Sequence, residues 1–281
     1  MKYVVLIWLL CSWAYAGTVL PKSNISQQLD SKIESFLGDK SYAANKAFIN
    51  IIFKNPKRFF TLNKIEDIKV IETLKNNGLL QLFYKHPRQL SVSFKTNGTP
   101  LFFIKLVSHA LRSIGYYRYI TKEVNSSLSS FVWTIDFTSD YAIDPTILYG
   151  ALNKLGCSIV NVSLTNKTFW HYQIDMQNAH LSSVKLQDNL QVNLNRPLYP
   201  PWFNVSAIKK IQITSNAGNS WYPYVVFYDK DLKILKIRKI NKKIAQISLN
   251  MPKESVYMKI NDLYTLQNIG NGLKIIAGGV R

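Results

Sequence analysis

The stretch "ALRSIGYYRYI" (110–120) has an echo at "ALNKLGCSIVN" (151–161), which repeats the frame Ala-Leu-x-x-apolar-Gly 41 residues later. Each copy closes a run with helical spacing and opens an extended one. Before Gly115, "PLFFIKLVSHALRSIG" (100–115) is helical in period; before Gly156, Asp144 and Pro145 supply a cap and a first-turn proline for "PTILYGALNKLG" (145–156). Two strand-like runs follow each glycine. They are "YYRYITKEV" and "FVWTIDF", parted by Asn125-Ser126-Ser127, and then "CSIVNVSL" and "FWHYQIDM" around Asn166-Lys167. The second strands also rhyme, Trp133-Thr134-Ile135-Asp136-Phe137 against Tyr172-Gln173-Ile174-Asp175-Met176.

A third copy precedes these two. "KIEDIKVIETLKNNG" (64–78) spaces Ile65, Ile68, Ile71 and Leu74 by three and ends in Asn-Asn-Gly, a left-handed stop. "LLQLFY" (79–84) and "LSVSFKT" (90–96) follow as strands, split by His86-Pro87-Arg88. Glycines at 78, 115 and 156 thus stand 37 and 41 residues apart, the scale of one supersecondary unit. One αββ unit cannot bury both of its faces, so neighbouring units must share sheets or stack. What repeats is packing: Arg112 and Ser113 in one copy face Asn153 and Lys154 in the other.

"AFINIIF" (47–53) is apolar and rich in isoleucine and phenylalanine, which predicts a strand and makes 46–96 a first β-α-β-β module. Residues 97–180 then hold two αββ repeats, and the order β-α-β-β-α-β from residue 90 is that of a ferredoxin-like split βαβ fold. Read as strand, helix, strand, strand, the segment 47–96 resembles a POTRA-type module, a small periplasmic docking fold whose helix ends in glycine and an aromatic before a strand, an ending that Gly115-Tyr116-Tyr117 also has. The resemblance covers about a third of the chain and implies a protein-docking role. Gly78-Leu79-Leu80 and Gly156-Cys157-Ser158 depart from it by lacking the aromatic.

Upstream, Ile25, Leu29, Ile33, Phe36 and Leu37 mark one helical face in a 17–45 N-terminal helical segment, with Ser23 or Asn24 as cap and Gly38 as terminator. Downstream, "NRPLYPPW" (195–202) carries three prolines in five residues and places a linker at 181–202. Residues 203–281 then read as short strands divided by turns. Val256, Met258 and Ile260 alternate with Tyr257 and Lys259 there, so this part is expected to be a C-terminal β-sandwich. The fold class expected is therefore α+β, ferredoxin-like or POTRA-like αββ repeats followed by an all-β sandwich domain.

The opening "MKYVVLIWLLCSWAYAG" has one charge, Lys2, then an apolar run and the small-x-small pattern Ala14-Tyr15-Ala16. This predicts a secretory signal at 1–16, cut between Ala16 and Gly17. The apolar run is too short for about 30 Å of hydrocarbon. A lipoprotein signal would want a small residue before Cys11, where Leu10 stands. No later run is long and apolar enough to be a transmembrane segment. Loss of Cys11 leaves Cys157 alone, so no internal disulfide is expected and the core must hold the fold. Export, with heavy use of lysine, asparagine and isoleucine, points to a bacterial periplasm.

The formal net charge is +19 and the pI about 9.8, with Lys2 leaving in the signal. Outside the cytoplasm the polyanions at hand are lipid headgroups, lipopolysaccharide phosphates and peptidoglycan carboxylates, not nucleic acid. Basic charge favours loose association with any of these, and a lysine-rich solvated surface explains it equally well.

Catalytic chemistry finds little support. His86, His109, His171 and His180 lack the spacing of a helical metal site, and no nucleophile elbow, P-loop or dinucleotide fingerprint occurs. Asp136 and Asp175 could pair as acid and base, yet the repeat already explains why they match, and alternation with apolar neighbours makes both exposed strand residues. Cys157 follows a helix C-terminus, the wrong dipole sign for a thiolate, and reads as a core cysteine. The expectation is no enzyme, no metal and no cofactor.

Recognition features are clearer. In "SNAGNSWYPYVVFYDKD" (215–231) a polar turn runs into aromatics, and Asn219, Trp221, Tyr222, Tyr224 and Tyr228 are candidates for holding a glycan, since pyranose faces are apolar and rimmed by hydroxyls. In a periplasm that polymer would be peptidoglycan. "KILKIRKINKK" (233–243) offers Lys233, Lys236, Arg238, Lys239, Lys242 and Lys243 to an anionic surface, although lysine on an edge strand also guards against aggregation. Glu123-Val124-Asn125-Ser126-Ser127 fits the extended acidic acceptor for periplasmic N-glycosylation at Asn125, in the turn expected between two strands. The sequence thus points first to a scaffold or docking protein of an envelope assembly, such as flagellar or secretion machinery, with an envelope protein as partner. The alternative is a glycan-binding protein.

Overall fold

The computed structural model describes residues 25–127 and 129–280. The expected signal, its Ala16–Gly17 cleavage pair and the Ser23 or Asn24 cap lie outside the described residues. Within them the chain is mixed α/β, with six α-helices and sixteen strands in four sheets, and strand predominates.

Helix α1 (Ile25–Leu37) buries Leu29, Ile33, Phe36 and Leu37, the face marked by the sequence, and Gly38 at φ 75° ends it. After α2 (Asp39–Ala44) comes a correction. "AFINIIF" forms helix α3 (Lys46–Ile52), not a strand, so the β-α-β-β reading of 46–96 loses its opening element. Ile49 and Phe53, four apart, are buried while Phe48 and Ile51 are exposed, a helical division that so short an apolar run does not reveal by period. A small ribbon, β1 (Phe60–Thr61) with β2 (Lys64–Ile65), leads into α4 (Asp67–Asn76). The two runs expected after it are one strand, β3 (Phe83–Thr96). Its pairing jumps from Phe83↔Tyr141 to Arg88↔Ser139, so Pro87 sits in the looped-out part, where a missing N–H breaks no ladder.

Then follow α5 (Pro100–Ser113), β4 (Ile120–Ser126), β5 (Phe131–Tyr141), α6 (Pro145–Asn153), β6 (Ser158–Thr165) and β7 (Phe169–Asp175). The three helix-ending glycines adopt φ 74°, 97° and 70° at 78, 115 and 156. Their hydrogen bonds are the same each time. Gly78, Gly115 and Gly156 donate to the carbonyls of Lys75, Arg112 and Asn153, and the next residue donates to Leu74, Leu111 and Leu152. This is a Schellman corner, and a leucine carbonyl closes all three.

The five strands order as β4-β5-β3-β7-β6. A ferredoxin-like order would set the strand after α6 directly beside β3. Instead β6 lies one place further out, and β7 folds back into the gap, parallel to β3. The hairpin turns at Asn166 and Lys167, both left-handed at φ 54° and 59°. One face of this sheet, with Phe94, Trp133, Ile135 and Tyr172, packs under Phe103, Val107 and Leu148 of α5 and α6 in the first core. Each such side chain contributes about 1.5–3 kcal/mol by burial.

The remaining strands are β8 (Val184–Lys185), β9 (Gln191–Leu194), β10 (Trp202–Asn204), β11 (Ile208–Ser215), β12 (Pro223–Tyr228), β13 (Ile234–Lys239), β14 (Gln246–Asn250), β15 (Tyr257–Asp262) and β16 (Leu273–Val280). They form two sheets, β13-β12-β15-β10-β8 and β14-β11-β16-β9. Phe203, Val225, Phe227 and Ile260 from the first share a second core with Ile211, Ile213 and Ile275 from the other. The 181–202 segment is more than a linker. It supplies β8 and β9, and Leu186 is fully buried in the second core.

The five-stranded C-terminal sheet lies between both cores. Val225 and Phe227 point into the second, while Val226, Tyr228 and Tyr257 join the first. Phe102 of α5 meets Tyr257 at 6.3 Å between ring centroids, and the Tyr257 hydroxyl accepts from the Leu181 N–H at 3.1 Å.

Candidate functional site

A sheet edge can receive another strand when its outward N–H and C=O groups are free. The N-terminal sheet has two edges, and they differ. At β6 the Val162 N–H donates to the Asp67 carboxylate at 2.6 Å, and the Val162 carbonyl accepts from the Lys32 ammonium at 2.7 Å. Lys32 and Asp67 are themselves paired at 2.8 Å and largely buried. Burial pushes the Asp67 carboxyl up, against the opposing pull of Lys32 and the Val162 N–H. An ion pair from α1 and α4 therefore occupies the place where a partner strand would bond.

Among the described residues nothing comparable stands at β4. All seven residues of Ile120–Ser126 are exposed, including Ile120 at 67 % and Val124 at 50 %. The pairing of β4 with β5 slips between Thr121 and Glu123, so Lys122 is an extra residue that bends the edge. Its ammonium folds inward, to Asp136 at 3.3 Å and toward the Ser91 hydroxyl at 3.4 Å, rather than standing guard along the edge. Residues Glu123–Ser126 are in regular register beyond the bulge.

Asp136 is buried, not exposed as its alternation predicts. It accepts from the Ser91 hydroxyl at 2.6 Å and the Gln89 amide at 3.2 Å, and it pairs with Lys122. It lies on the sheet face opposite the helices, where Ser91, Ser93 and Thr134 make a polar row that the sequence pattern alone does not distinguish from solvent. Through Ser91 it aligns with Phe169, six residues from Asp175, or about 20 Å along the strand. The two aspartates are not brought together. Cys157 is buried in the first core, and burial, then the charge of Asp175, pushes its thiol up to about 12. His171 stacks on Phe169 at 4.1 Å and meets the Thr165 hydroxyl at 3.3 Å, and burial lowers its pKa.

The glycan candidates divide. Trp221 has no exposed surface and donates its indole N–H to the Asn261 carbonyl, so it presents no ring to a sugar. Asn219 is buried, bonded to the Gly272 carbonyl and the Asn271 N–H, and Tyr228 is buried beside Trp202 at 4.9 Å. Tyr222 and Tyr224 remain half-exposed. Tyr222 meets Tyr264 edge-on at 5.1 Å, and Tyr224 lines an open cleft of about 480 Å³ with Tyr264, Lys239 and Asn261. Tyr264, exposed at 62 %, was hidden from the sequence reading because its ring joins the others only through the turn after β15. That turn is fixed by Asp262, which accepts from the N–H groups of Tyr222, Tyr264 and Thr265.

The basic candidates Lys233, Lys236, Arg238, Lys239, Lys242 and Lys243 are all exposed, on or beside the edge strand β13. They split between faces. Lys236 and Arg238 lie opposite Phe227 and Val225, and Lys239 opposite Tyr224. Asn125 lies in β4 rather than in the turn after it, and its amide donates to Glu123 at 2.6 Å. Among the described residues no helix is long and apolar enough to cross a membrane. No protein-family model matches the chain, and no curated protein or solved structure is significantly similar to it.

Proposed function

We propose that this chain is an exported, non-enzymatic docking protein of a bacterial envelope assembly, which receives a strand of a protein partner along β4. The observation that carries the reading is the contrast between the two edges of the N-terminal sheet. At the middle of the β6 edge both backbone groups of Val162 are occupied by Lys32 and Asp67, whereas β4 is exposed along its whole length. A strand added at an edge gains main-chain hydrogen bonds, and alternate side chains give selectivity. The Schellman corners at Gly115 and Gly156, each followed by two strands, support reading residues 97–180 as two αββ repeats, and the shared second core supports reading the C-terminal sheets as a β-sandwich. Export through the 1–16 signal would place the protein in the periplasm. The test is Val124→Asp, on the exposed edge. The variant should keep the wild-type melting temperature yet lose at least tenfold of whatever envelope protein co-purifies with the native chain. Unchanged recovery of that protein would remove the reading.

A second reading, a peptidoglycan- or glycan-binding protein, is favoured by the cleft at Tyr224 and Tyr264. Ring faces beside an amide and the Lys239 ammonium suit an acidic sugar. Sedimentation with insoluble peptidoglycan should then fall about tenfold in Tyr264→Ala. If the wild-type protein does not sediment, this second reading is withdrawn.

A further inference from the structure

Trp170, on β7, is 1 % exposed and its indole N–H has no hydrogen-bond partner among the described residues. That N–H has essentially no open surface, so it is sealed within the core. Trp170 is also part of the wall of a cleft of about 330 Å³ between α1, the start of β3 and the β6–β7 turn. Phe36, Leu37, Leu80 and Leu164 give the wall an apolar part, beside the polar Ser41 and Gln81, and Phe36 stacks on the indole at 6.4 Å. The rim is cationic. Arg88 and Lys167 both line the cleft, and neither meets a carboxylate among the described residues. The Arg88 guanidinium instead lies 5.1 Å from the centre of the Tyr84 ring, whose hydroxyl donates to the Lys167 carbonyl. Phe83, half-exposed and 5.0 Å from Tyr141, extends the apolar wall outward.

These features ask for one kind of occupant. It needs negative charge for two cations that meet no carboxylate among the described residues, and an apolar body for the wall. We propose that this cleft binds a monocarboxylate carrying an apolar chain, with the carboxylate at the Arg88–Lys167 rim and the chain against Phe36, Leu80 and Leu164. The volume is at the small end of ligand pockets, which limits the body to a short acyl chain or one apolar residue. The inference does not depend on the β4 reading, since the cleft and that edge share no residue.

The test is a titration of the full mature chain, labelled with ¹⁵N at tryptophan, with octanoate as probe. Octan-1-ol is the charge control, and N-acetylleucine is the arm that separates an acyl chain from the C-terminal residue of a peptide. The Trp170 indole resonance should shift saturably with octanoate or N-acetylleucine, and the tighter of the two names the source. Octan-1-ol should bind at least tenfold more weakly. Arg88→Gln, a surface change that spares the core, should weaken carboxylate binding at least tenfold. No shift at Trp170 with either carboxylate would overturn the proposal, as would equal affinity for octanol or for Arg88→Gln.

Discussion

A glycine at the end of a helix looks interchangeable with its repeats until its neighbours are counted. Gly78, Gly115 and Gly156 share one left-handed conformation and one hydrogen-bond pattern, yet a Cβ would meet nothing within 4 Å at Gly78 or Gly115. At Gly156 it would sit 1.9 Å from the Asn178 carbonyl oxygen. Gly115→Ala should therefore cost only the left-handed strain, about 1–2 kcal/mol. Gly156→Ala should cost well above about 3 kcal/mol, because backbone must move as well. Urea denaturation of the two variants checks the difference, and equal losses would show that the corner relaxes freely. The left-handed stops were legible in the sequence, since glycine alone takes that conformation without penalty after a helical run. The crowding at Gly156 was not, because Asn178 reaches it from beyond β7. Asp144 gives a pH-dependent case at the same scale. Burial opposes its charge, but the Lys75 ammonium at 2.7 Å, the Thr146 hydroxyl and the Thr146 N–H together hold its carboxyl below the ordinary value. A carboxyl lowered by folding adds stability above its unfolded pKa of about 3.9, and this is lost as pH falls through the folded value. A double-mutant cycle of Lys75→Met and Asp144→Asn should show coupling at pH 7 that fades on acidification below about pH 4. Coupling that persists at pH 2 would contradict the ion pair.

Elements were read well where their period was long and poorly where it was short. Fourteen residues from Pro100 to Ser113 declare a helix through Phe103, Leu106, Val107 and Ala110, all buried. The seven of "AFINIIF" do not, and the helix α3 wins because Ile49 and Phe53 can reach the first core together. Trp221 was misread for a related reason. It lies in the loop before β12, where no strand alternation marks a residue as buried, and its ring enters the second core. The Lys32–Asp67 pair joins α1 to α4 across β6, a contact that no spacing in the sequence announces. Asp67→Ala would leave the Val162 N–H without an acceptor and the Lys32 ammonium without its counter-charge, and should cost about 3 kcal/mol. Asp67→Asn keeps an acceptor for Val162 and should cost less. If thermal melts rank the two variants in the opposite order, the backbone bond is not what Asp67 supplies.

The whole molecule is joined through one sheet that belongs to both cores, and this bears on how it unfolds. Phe102, 4 % exposed, reaches from α5 to Tyr257, and Tyr257 in turn accepts from the Leu181 N–H. Phe102→Ala should cost about 3–5 kcal/mol and keep a single unfolding transition by calorimetry, whereas two resolved transitions would mean that the halves fold separately. The sequence located the strands of the C-terminal part because turns divide them, but it could not show that the prolines at 197, 200 and 201 lead into a packed sheet and not a free linker. Nor could it rank the two edges of the N-terminal sheet, since β4 and β6 look alike until α1 and α4 are laid beside one of them. That ranking is the central claim, and two valines of similar exposure test it most directly. Val124 on β4 and Val160 on β6 are 50 % and 48 % exposed. A photo-crosslinking amino acid placed at each in the native cell should capture a discrete protein partner from position 124 and none from position 160. Equal capture at both positions, or capture at 160 alone, would contradict the open edge as the docking surface.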